Sequence, residues 1–221
     1  MREIPLVSVL MTAYNREKYI AEAIESVLAS TYTNFELIIV DDCSIDKTVE
    51  IARSYEMRDE RIKVYVNERN LGDYPNRNKA AKYAKGKFLK YLDSDDLIYA
   101  HGLAAFVYNM EELPKAALGI SSRNIQQDIP FPILISKEDA IRRHFFKDGF
   151  LDCGPSGVII KREVFERFGG FSGKRMIGDS ELWFKIASQH PVAIVPPSLI
   201  FWRRHDKQEF FQVLTPASIW K

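Results

Sequence analysis

Short apolar runs alternate with amphipathic stretches through the first half of the chain. The runs at 6–11 and 35–40 predict buried strands, the segment 62–66 alternates like a third strand, and 88–92 predicts a fourth. The stretches between them repeat apolar residues at helical spacing and predict three helices, at 17–29, 46–55 and 75–84. Because strands that alternate with helices form right-handed βαβ units, this half of the chain predicts an α/β fold with a parallel sheet.

The second half of the chain is less regular. It predicts four helices, at 102–113, 136–146, 162–168 and 180–188. Its shorter apolar runs indicate strands at 117–121, 131–135, 157–160, 192–195 and 199–202. Ser136 followed by Asp139 resembles a capping box at the start of one of these helices. Since no repeat, low-complexity tract or linker is visible, we expect one domain over residues 1–221.

Composition and charge argue against several classes of protein. The chain has 221 residues, of which 46% are hydrophobic, and its net charge of +1 does not favour a nucleic-acid partner. No apolar run approaches the roughly 20 residues of a membrane span, and no secretory leader is apparent. Cys43, Cys153 and four scattered histidines suggest neither a disulfide framework nor a zinc cluster. We therefore expect a cytoplasmic protein with reduced thiols.

Polar side chains follow each of the first four predicted strands. They are Thr12-Ala13-Tyr14-Asn15, Asp41-Asp42, Asn67-Glu68-Arg69-Asn70 and Asp93-Ser94-Asp95. Ligands of an open parallel sheet bind beyond the carboxyl ends of its strands, so these segments should meet in one crevice. Carboxylates there could accept hydrogen bonds from a base or ribose, and a carboxylate-bound metal could hold a diphosphate. The strand ends therefore predict a nucleotide site.

The acidic cluster 93–96 has two interpretations. In an extended segment Asp93 and Asp95 point the same way, and their oxygens would suit Mg²⁺ or Mn²⁺. Alternatively, Ser94 and the acids around it cap the start of a helix and favour its dipole. The tetrapeptide alone leaves both interpretations open, because such short motifs are common.

Five short segments together carry a resemblance to a known family. They are Val9-Leu10-Met11-Thr12-Ala13-Tyr14-Asn15, Ile38-Ile39-Val40-Asp41-Asp42-Cys43-Ser44, Asn70-Leu71-Gly72, Arg77-Asn78 and Leu92-Asp93-Ser94-Asp95-Asp96. In this order and spacing they resemble glycosyltransferase family 2. The resemblance implies a GT-A fold, which is a Rossmann-like α/β architecture with a mostly parallel central sheet flanked by helices and a smaller acceptor-side region. It also implies that residues 1–98 bind a nucleoside-diphosphate sugar and residues 99–221 bind the acceptor.

The resemblance assigns roles to the strand-end residues. The nucleotide-binding residues that it implies are Thr12, Ala13, Tyr14, Asn15, Asp41, Arg77, Asp93 and Ser94. Tyr14 would lie on the base and Asp41 would accept hydrogen bonds from it, while Arg77 would lie near the diphosphate or the base. The resemblance implies Mn²⁺ or Mg²⁺ with Asp95 as a direct ligand. His205 could reach the metal or the diphosphate, or it could be a structural or solvated histidine.

Several of these positions also have structural interpretations that the sequence leaves open. Tyr14 could pack on the core, and Arg77 could be a solvated helix residue. Asp42 and Ser44 could serve only to cap the turn after the second strand. We expect Asp96 to cap a following helix rather than to bind the ligand.

Asp179 matches the position of the general base that an inverting transfer needs near the acceptor hydroxyl. The family has a Glu-Asp pair here, and in this chain Gly178 replaces the glutamate. Asp179 could also cap the helix that follows, and Glu181 is an alternative base. Upstream, the small residues of 153–157 resemble the loop beside the donor sugar.

The donor and acceptor follow from the resemblance only in part. A UDP-linked sugar is favoured over GDP- or dTDP-linked donors, because Tyr14 and Asp41 resemble uracil-reading residues. The acceptor implied is a glycan or lipid-linked saccharide, and the family's usual setting is bacterial cell-surface polysaccharide synthesis. The basic and aromatic segment 142–146 fits peripheral contact with the inner face of a membrane or, alternatively, an amphipathic core helix.

Other functions are less well supported by the sequence. Nucleotidyltransferases and dehydrogenases need a glycine-rich loop after the first strand, and residues 12–18 contain no glycine. A catalytically silent domain that binds a nucleotide or glycan stays open, because Gly178 departs from the family pattern. Hydrolysis of a nucleotide-sugar donor would separate an enzyme from such a domain.

Overall fold

The structure is a computed structural model that describes residues 6–121 and 130–205. Within these residues lie ten strands: β1 (Val7–Ala13), β2 (Phe35–Asp41), β3 (Ile62–Val66), β4 (Phe88–Tyr91), β5 (Leu97–Ile98), β6 (Leu118–Ile120), β7 (Ile133–Ile135), β8 (Val158–Lys161), β9 (Val192–Ile194) and β10 (Ile200–Phe201). Eight of them form one sheet in the order β3-β2-β1-β4-β8-β6-β9-β7, and β5 pairs separately with β10. The two ends of the domain predicted over 1–221, at 1–5 and 206–221, lie outside the described residues.

Helices connect most of these strands. They are α1 (Ile20–Leu28), α2 (Thr48–Glu56), α3 (Asp73–Tyr83), α4 (Gly102–Glu112), α5 (Lys137–Arg143), α6 (Arg162–Arg167) and α7 (Gly178–Ala187). A π-helical turn, His144–Asp148, continues α5, and a 3-10 turn, Pro155–Gly157, precedes β8. Ser136 caps α5, because its hydroxyl accepts a hydrogen bond from the Asp139 N–H, as the capping-box pattern predicts.

The first four strands of the main sheet are parallel, as the alternation of strands and helices predicts. β1 lies between β2 and β4, and β3 lies outside β2. Ala13 pairs with Asp41, which in turn pairs with Val66, so these strands end at one level. The side chains of β1, β2 and β4 are almost all buried because helices cover both faces of a parallel sheet, whereas only Ile62 and Val64 are buried in the edge strand β3. This alignment brings the polar residues after each strand to a single edge.

The second half completes the sheet with strands of both directions. β8 runs antiparallel to β4 and β6, β9 runs parallel to β6, and β7 runs antiparallel to β9. The separate β5–β10 pair is short, yet it matters for the site. It returns the chain after β10 to the turn that follows β4, which brings residues 203–205 against the acidic cluster.

The observed bounds differ from the predicted ones in a few informative places. β1 extends to Ala13, so Thr12 lies within the strand rather than after it. α3 begins at Asp73, two residues before the predicted start, which puts Tyr74 inside the helix. The expectation that Asp96 caps a helix is wrong, since strand β5 follows it.

The buried core lies on both faces of the main sheet. One apolar cluster joins β1 and β2 to α1 and α4, and the other joins β4, β6 and β8 to α3 and α7. Trp183 of α7 is fully buried, and its indole N–H donates to the Cys153 carbonyl oxygen at 2.8 Å. This bond ties α7 to the loop before β8. No helix in the described ranges is both long and apolar enough to cross a bilayer.

Candidate functional site

The ends of β1 and β2 are joined by a hydrogen-bond network around Asp41. Its two carboxylate oxygens accept from the Ser44 N–H and hydroxyl, at 2.8 and 2.5 Å. The Ser44 hydroxyl oxygen accepts from the Asn15 N–H, while Asn15 Oδ1 accepts from the Ile45 N–H. Burial raises the pKa of Asp41, although its bonds from Ser44 act in the opposite direction. The network holds the loop that follows β1 against the loop that follows β2.

Tyr14 lies at the open side of this network. Its side chain is 45% exposed and therefore does not pack in the core. Beside it, a crevice of about 250 Å³ is lined by residues from both loops, namely Asn15, Arg16, Glu17, Lys18, Tyr19, Ile45 and Asp46. An exposed aromatic ring next to a polar crevice of this kind can stack on a nucleotide base.

Asp42 has a different task from Asp41. Its carboxylate accepts hydrogen bonds from the Leu71 and Gly72 N–H groups, at 2.8 and 2.9 Å, and from the Asn67 amide at 2.7 Å. These bonds fix the loop between β3 and α3 rather than the turn after β2. Asp42 therefore supports the start of α3, whose side chains reach the rest of the site.

The segment after β4 turns instead of continuing extended, so the expectation that Asp93 and Asp95 point the same way is wrong. The Asp96 N–H donates to the Asp93 carbonyl oxygen at 2.9 Å, which closes the turn. Asp93 Oδ1 lies 2.7 Å from a guanidinium nitrogen of Arg77, which pairs on its other side with Asp73. Ser94 is buried beneath the turn. The two acids of the motif thus face different partners.

Asp95 faces two basic side chains. Its Oδ2 lies 3.1 Å from Arg16 Nε and 2.9 Å from His205 Nε2, and the carboxylate is nearly buried. The His205 ring stacks on Tyr19 with the centroids 4.5 Å apart. The structure therefore brings together Asp95 and His205, which the sequence separates by more than a hundred residues.

The donor set at Asp95 fits a hard divalent cation. Carboxylate oxygen and imidazole nitrogen both suit Mn²⁺, and Mg²⁺ and its relatives are usually held by one or two protein ligands together with substrate phosphates. Nowhere in 6–121 or 130–205 do three acidic, histidine or cysteine side chains form a ready-made cage. Asp95 and His205 could therefore hold a metal only with further ligands such as a diphosphate.

A buried lysine lies beneath the acidic turn. Lys90 of β4 is fully buried, and its ammonium group donates to the carbonyl oxygens of Tyr91 and Ser156. Burial lowers the pKa of Lys90 to about 7, although Asp93 and Asp96 act to raise it. Burial likewise raises the pKa of Asp96 to about 8. Asp96 accepts from the Arg203 N–H at 3.2 Å and so anchors the returning chain.

Asp179 lies in the first turn of α7 and does not occupy the N-cap position, which belongs to Ile177. Its Oδ1 accepts from the Ser180 N–H at 2.7 Å and from the Tyr74 hydroxyl at 3.1 Å. Burial raises the pKa of Asp179, while both hydrogen bonds and the nearby Arg77 act to lower it. A partly desolvated carboxylate of this kind is suited to accept a proton.

Glu181 is poorly placed for that role. It is held on the outer surface by the Ser172 hydroxyl and by ion pairs with Lys174 and Lys185. Hydrogen bonds from these three groups lower the pKa of Glu181 to about 2, which makes the carboxylate a weak base. The contacts and the pKa of Glu181 therefore make Asp179 the better candidate for the base.

A second cavity, of about 140 Å³, opens beside the 3-10 turn. Residues from 152–157 and 198–202 line it, among them Cys153, Gly154 and Trp202. A Cβ atom at Gly157 would lie 2.2 Å from the Cys153 sulfur, so only glycine fits there without movement. The small residues of this loop leave space next to the acidic turn, where the loop was predicted to face the donor sugar.

Sequence reasoning missed three residues of the site. Arg16 directly follows the predicted strand-end segment 12–15, so its position in the sequence could have indicated that it belongs to the site. Lys90 sits within an apolar run, which hid its contact with the acidic turn. Tyr74 carried no signal at all, because its partner Asp179 is 105 positions away in the sequence.

The parallel half-sheet with an acidic turn at its edge is the GT-A architecture that the motifs predict. The chain matches the sequence profile of "Glycosyl transferase family 2" over residues 8–169. It is also 32% identical to a Methanocaldococcus jannaschii protein named as an uncharacterized glycosyltransferase, over 98% of this chain and 80% of that protein. The chain therefore belongs to glycosyltransferase family 2, as the motifs predict.

Other similar proteins are larger than this chain. An Escherichia coli protein named UDP-Glc:alpha-D-GlcNAc-diphosphoundecaprenol beta-1,3-glucosyltransferase is 46% identical over 44% of this chain and 38% of its own length. The solved structure of Staphylococcus aureus TarS in complex with UDP-GlcNAc has a TM-score of 0.75 at 22% identity, with 93% of this chain and 60% of that one covered. A Pyrobaculum calidifontis mannosyltransferase in complex with GDP-Man and Mn²⁺ has a TM-score of 0.74 at 20% identity, with 95% and 59% covered. The chain thus spans about 60% of these solved structures.

Proposed function

We propose that this chain catalyses inverting transfer of a sugar from a UDP-linked donor to a glycan or lipid-linked acceptor, with Asp179 as the general base. The observation that carries the proposal is that side chains of α3 contact both Asp93 and Asp179. Arg77 pairs with Asp93 of the acidic turn, and Tyr74, one helical turn away on the same face, bonds to Asp179. One helix therefore contacts both the acidic turn and the proposed base.

The donor nucleotide would be held by the strand-end residues. Tyr14 would stack on the base, and Asp41 would accept a hydrogen bond from it. Arg77 is held rigidly between Asp73 and Asp93, and these acids keep its pKa above the usual value despite burial. Such a fixed cation beside the donor site can offset charge that develops on the diphosphate. Thr12, Ala13, Asn15, Asp93 and Ser94 complete the proposed nucleotide contacts.

The transfer itself would be a single displacement. The acceptor oxygen attacks the anomeric carbon, its proton passes to the Asp179 carboxylate, and the bond from the sugar to the diphosphate breaks on the opposite face. Asp95 and His205 would bind Mn²⁺ or Mg²⁺ together with the donor, and such a metal supplies Lewis-acid stabilisation of a leaving diphosphate. Attack opposite the leaving group inverts the anomeric centre.

The names of similar proteins support the choice of donor and acceptor. Relatives or structural neighbours include proteins named for UDP-Glc with a diphosphoundecaprenol-linked acceptor, for UDP-GlcNAc binding, and for teichuronic acid biosynthesis. These names favour a UDP-sugar donor and a role in cell-surface polysaccharide synthesis. One structural neighbour is in complex with GDP-Man, so a GDP-linked donor is the alternative that an experiment must distinguish from a UDP-linked donor.

Calorimetric titration tests the donor site. The protein is titrated with UDP, GDP and dTDP, each in Mn²⁺ and again in EDTA. We expect UDP to bind in Mn²⁺ and to bind more weakly in EDTA, because the diphosphate would complete the coordination around Asp95 and His205. Preferential binding of GDP or dTDP would overturn the donor assignment. Failure of all three nucleotides to bind the folded protein would favour the silent-domain alternative.

We also propose that the π-helical turn after α5 contacts the membrane that carries a lipid-linked acceptor. Phe145 and Phe146 are 65% and 86% exposed, so the core-helix interpretation is wrong for these two side chains. Arg142 and Lys147 beside them are exposed as well, which suits an anionic surface. Phe145 stacks on Phe184 of α7, the helix that also carries the proposed base.

Vesicle sedimentation tests this contact. We expect the protein to bind vesicles of phosphatidylglycerol and phosphatidylethanolamine more than phosphatidylcholine vesicles, and less at high salt. Phe145→Ser/Phe146→Ser should lower binding several-fold, whereas Met57→Ser/Tyr108→Ser, which removes two other exposed apolar side chains, should not. Equal losses in the two double variants would contradict a specific membrane surface.

A further inference from the structure

Tyr74 reaches Asp179 from another helix. Its side chain is only 6% exposed, and its ring packs on Phe171 with the centroids 5.2 Å apart. The hydroxyl donates to Asp179 Oδ1, which also accepts from the Ser180 N–H. Among residues 6–121 and 130–205, no hydrogen bond reaches Oδ2 of this carboxylate. Both bonds therefore hold one oxygen and leave the other available.

Gly178 makes this contact possible. A Cβ atom at position 178 would lie 2.7 and 2.8 Å from two ring carbons of Tyr74, closer than such atoms approach in proteins. The Tyr74 ring thus occupies the space that any larger residue at 178 would need. A glutamate at position 178, which the resemblance implies, would therefore clash with the Tyr74 ring that bonds to Asp179.

We propose that Tyr74 is a positioning residue for Asp179, and that the glycine at position 178 is what admits the Tyr74 ring. The inference deepens the proposed function, since it rests on Asp179 as the base. The hydroxyl of Tyr74 fixes Oδ1, and this fixes the direction in which Oδ2 meets the acceptor hydroxyl. Tyr74 itself touches no reacting atom.

The arrangement predicts a change in the acidity of the base. The charged and titratable groups facing Asp179 are Tyr74 and Arg77 from α3, and Glu181 lies farther along its own helix. Because the Tyr74 hydroxyl stabilises the ionised carboxylate, its removal should raise the pKa of Asp179 further. The base is active only when ionised, so the acidic limb of the rate profile should move to higher pH.

Tyr74→Phe tests this prediction by two measurements. The carboxyl of Asp179 is titrated by NMR in ¹³C-aspartate-labelled protein, where Asp179→Asn identifies its signal, and UDP release from UDP-glucose or UDP-GlcNAc is measured against pH. We expect the midpoint of the carboxyl titration and the midpoint of the acidic limb of the rate profile to rise by about one pH unit. This is the order expected for loss of a hydrogen bond to a charged group. The carboxyl titration needs no substrate.

Tyr55→Phe is the matched control. The Tyr55 hydroxyl donates to Glu25 Oε1 at 2.6 Å, so this variant also loses a tyrosine–carboxylate hydrogen bond, but between α1 and α2. It should leave the Asp179 midpoint and the pH profile unchanged. An unchanged Asp179 midpoint in Tyr74→Phe, or an equal shift in Tyr55→Phe, would overturn the positioning role.

Gly178→Ala tests the second half of the proposal. With Tyr74 present, the new methyl group should displace the ring, move the Asp179 midpoint upward and slow UDP release. In a Tyr74→Ala background the same substitution should have little further effect, because the space is empty and alanine is favoured over glycine in a helix. Additive effects of the two substitutions would contradict the coupling. UDP release that survives Asp179→Asn would instead overturn the base assignment, which is the proposed function itself.

Discussion

Asp179→Asn should abolish sugar transfer while donor nucleotide binding persists. The amide cannot accept the acceptor proton, and general bases contribute roughly 10²–10⁴-fold to rate. Nucleotide binding should be retained because the Asp41 and Asp95 contacts lie at the ends of the parallel strands, away from α7. The two measurements are donor turnover with acceptor or water and calorimetric titration with UDP in Mn²⁺.

The stability of this variant should not fall. Since burial raises the pKa of Asp179 above its value in the unfolded chain, the ionised side chain costs folding free energy as pH rises through the folded-state pKa. A neutral amide removes that cost at pH 7, so thermal unfolding should occur at the same or a higher temperature. Glu181→Gln, on the same helix and within a surface network of lysines, is the matched control and should retain transfer. Loss of UDP binding together with activity would instead indicate a structural role for Asp179.

Asp95→Asn should remove the metal dependence of nucleotide binding and lower transfer by at least about 10²-fold. The reason is that the substitution takes away the anionic side chain of the proposed metal site, leaving His205 without the carboxylate that lies 2.9 Å away. The effect of Asp95→Asn should differ from that of Asp179→Asn. In Asp95→Asn the affinity for UDP in Mn²⁺ should fall to the level seen in EDTA, whereas in Asp179→Asn it should not change. Calorimetry in both conditions measures this difference.

The structure also supplies the control for this prediction. Asp95 is paired with Arg16, so the asparagine variant could lose stability by leaving a partly buried cation unpaired. Asp59→Asn removes a carboxylate from Arg61 at the surface, where the pair is 2.6 Å long, and should leave metal-dependent binding intact. Folding of both variants is checked by thermal unfolding. Metal-dependent UDP binding that survives in Asp95→Asn would reject the proposed metal site.

The first half of the fold could be predicted from the sequence. Its strands β1 and β2 are nearly continuous apolar runs because both faces of the sheet are covered there, the edge strand β3 alternates, and α1 repeats apolar residues on one face. Both signals are local, and the observed β2, β3 and β4 lie within one residue of their predicted bounds. The convergence of strand ends at one edge follows from the same topology.

The second half of the chain was less predictable because its elements are short and its partners are distant. β6, β7 and β9 contain three residues each, too few for a clear period. The direction of β8 depends on its pairing with β4 and β6 rather than on its own composition. The exposure of Phe146 likewise depends on where the chain turns after α5, which no local pattern indicates.

By itself the sequence determined the α/β class, the polar crevice and the motifs that identify the family, because periodicity, strand ends and motif spacing are properties of neighbouring residues. Only the tertiary structure decided which side chains meet. It separated Asp93 from Asp95 by a turn, brought His205 to Asp95 through the β5–β10 pair, and set Tyr74 on Asp179. The last two contacts join residues more than a hundred positions apart, and their geometry depends on how packed helices and strands are placed, which local preferences do not encode.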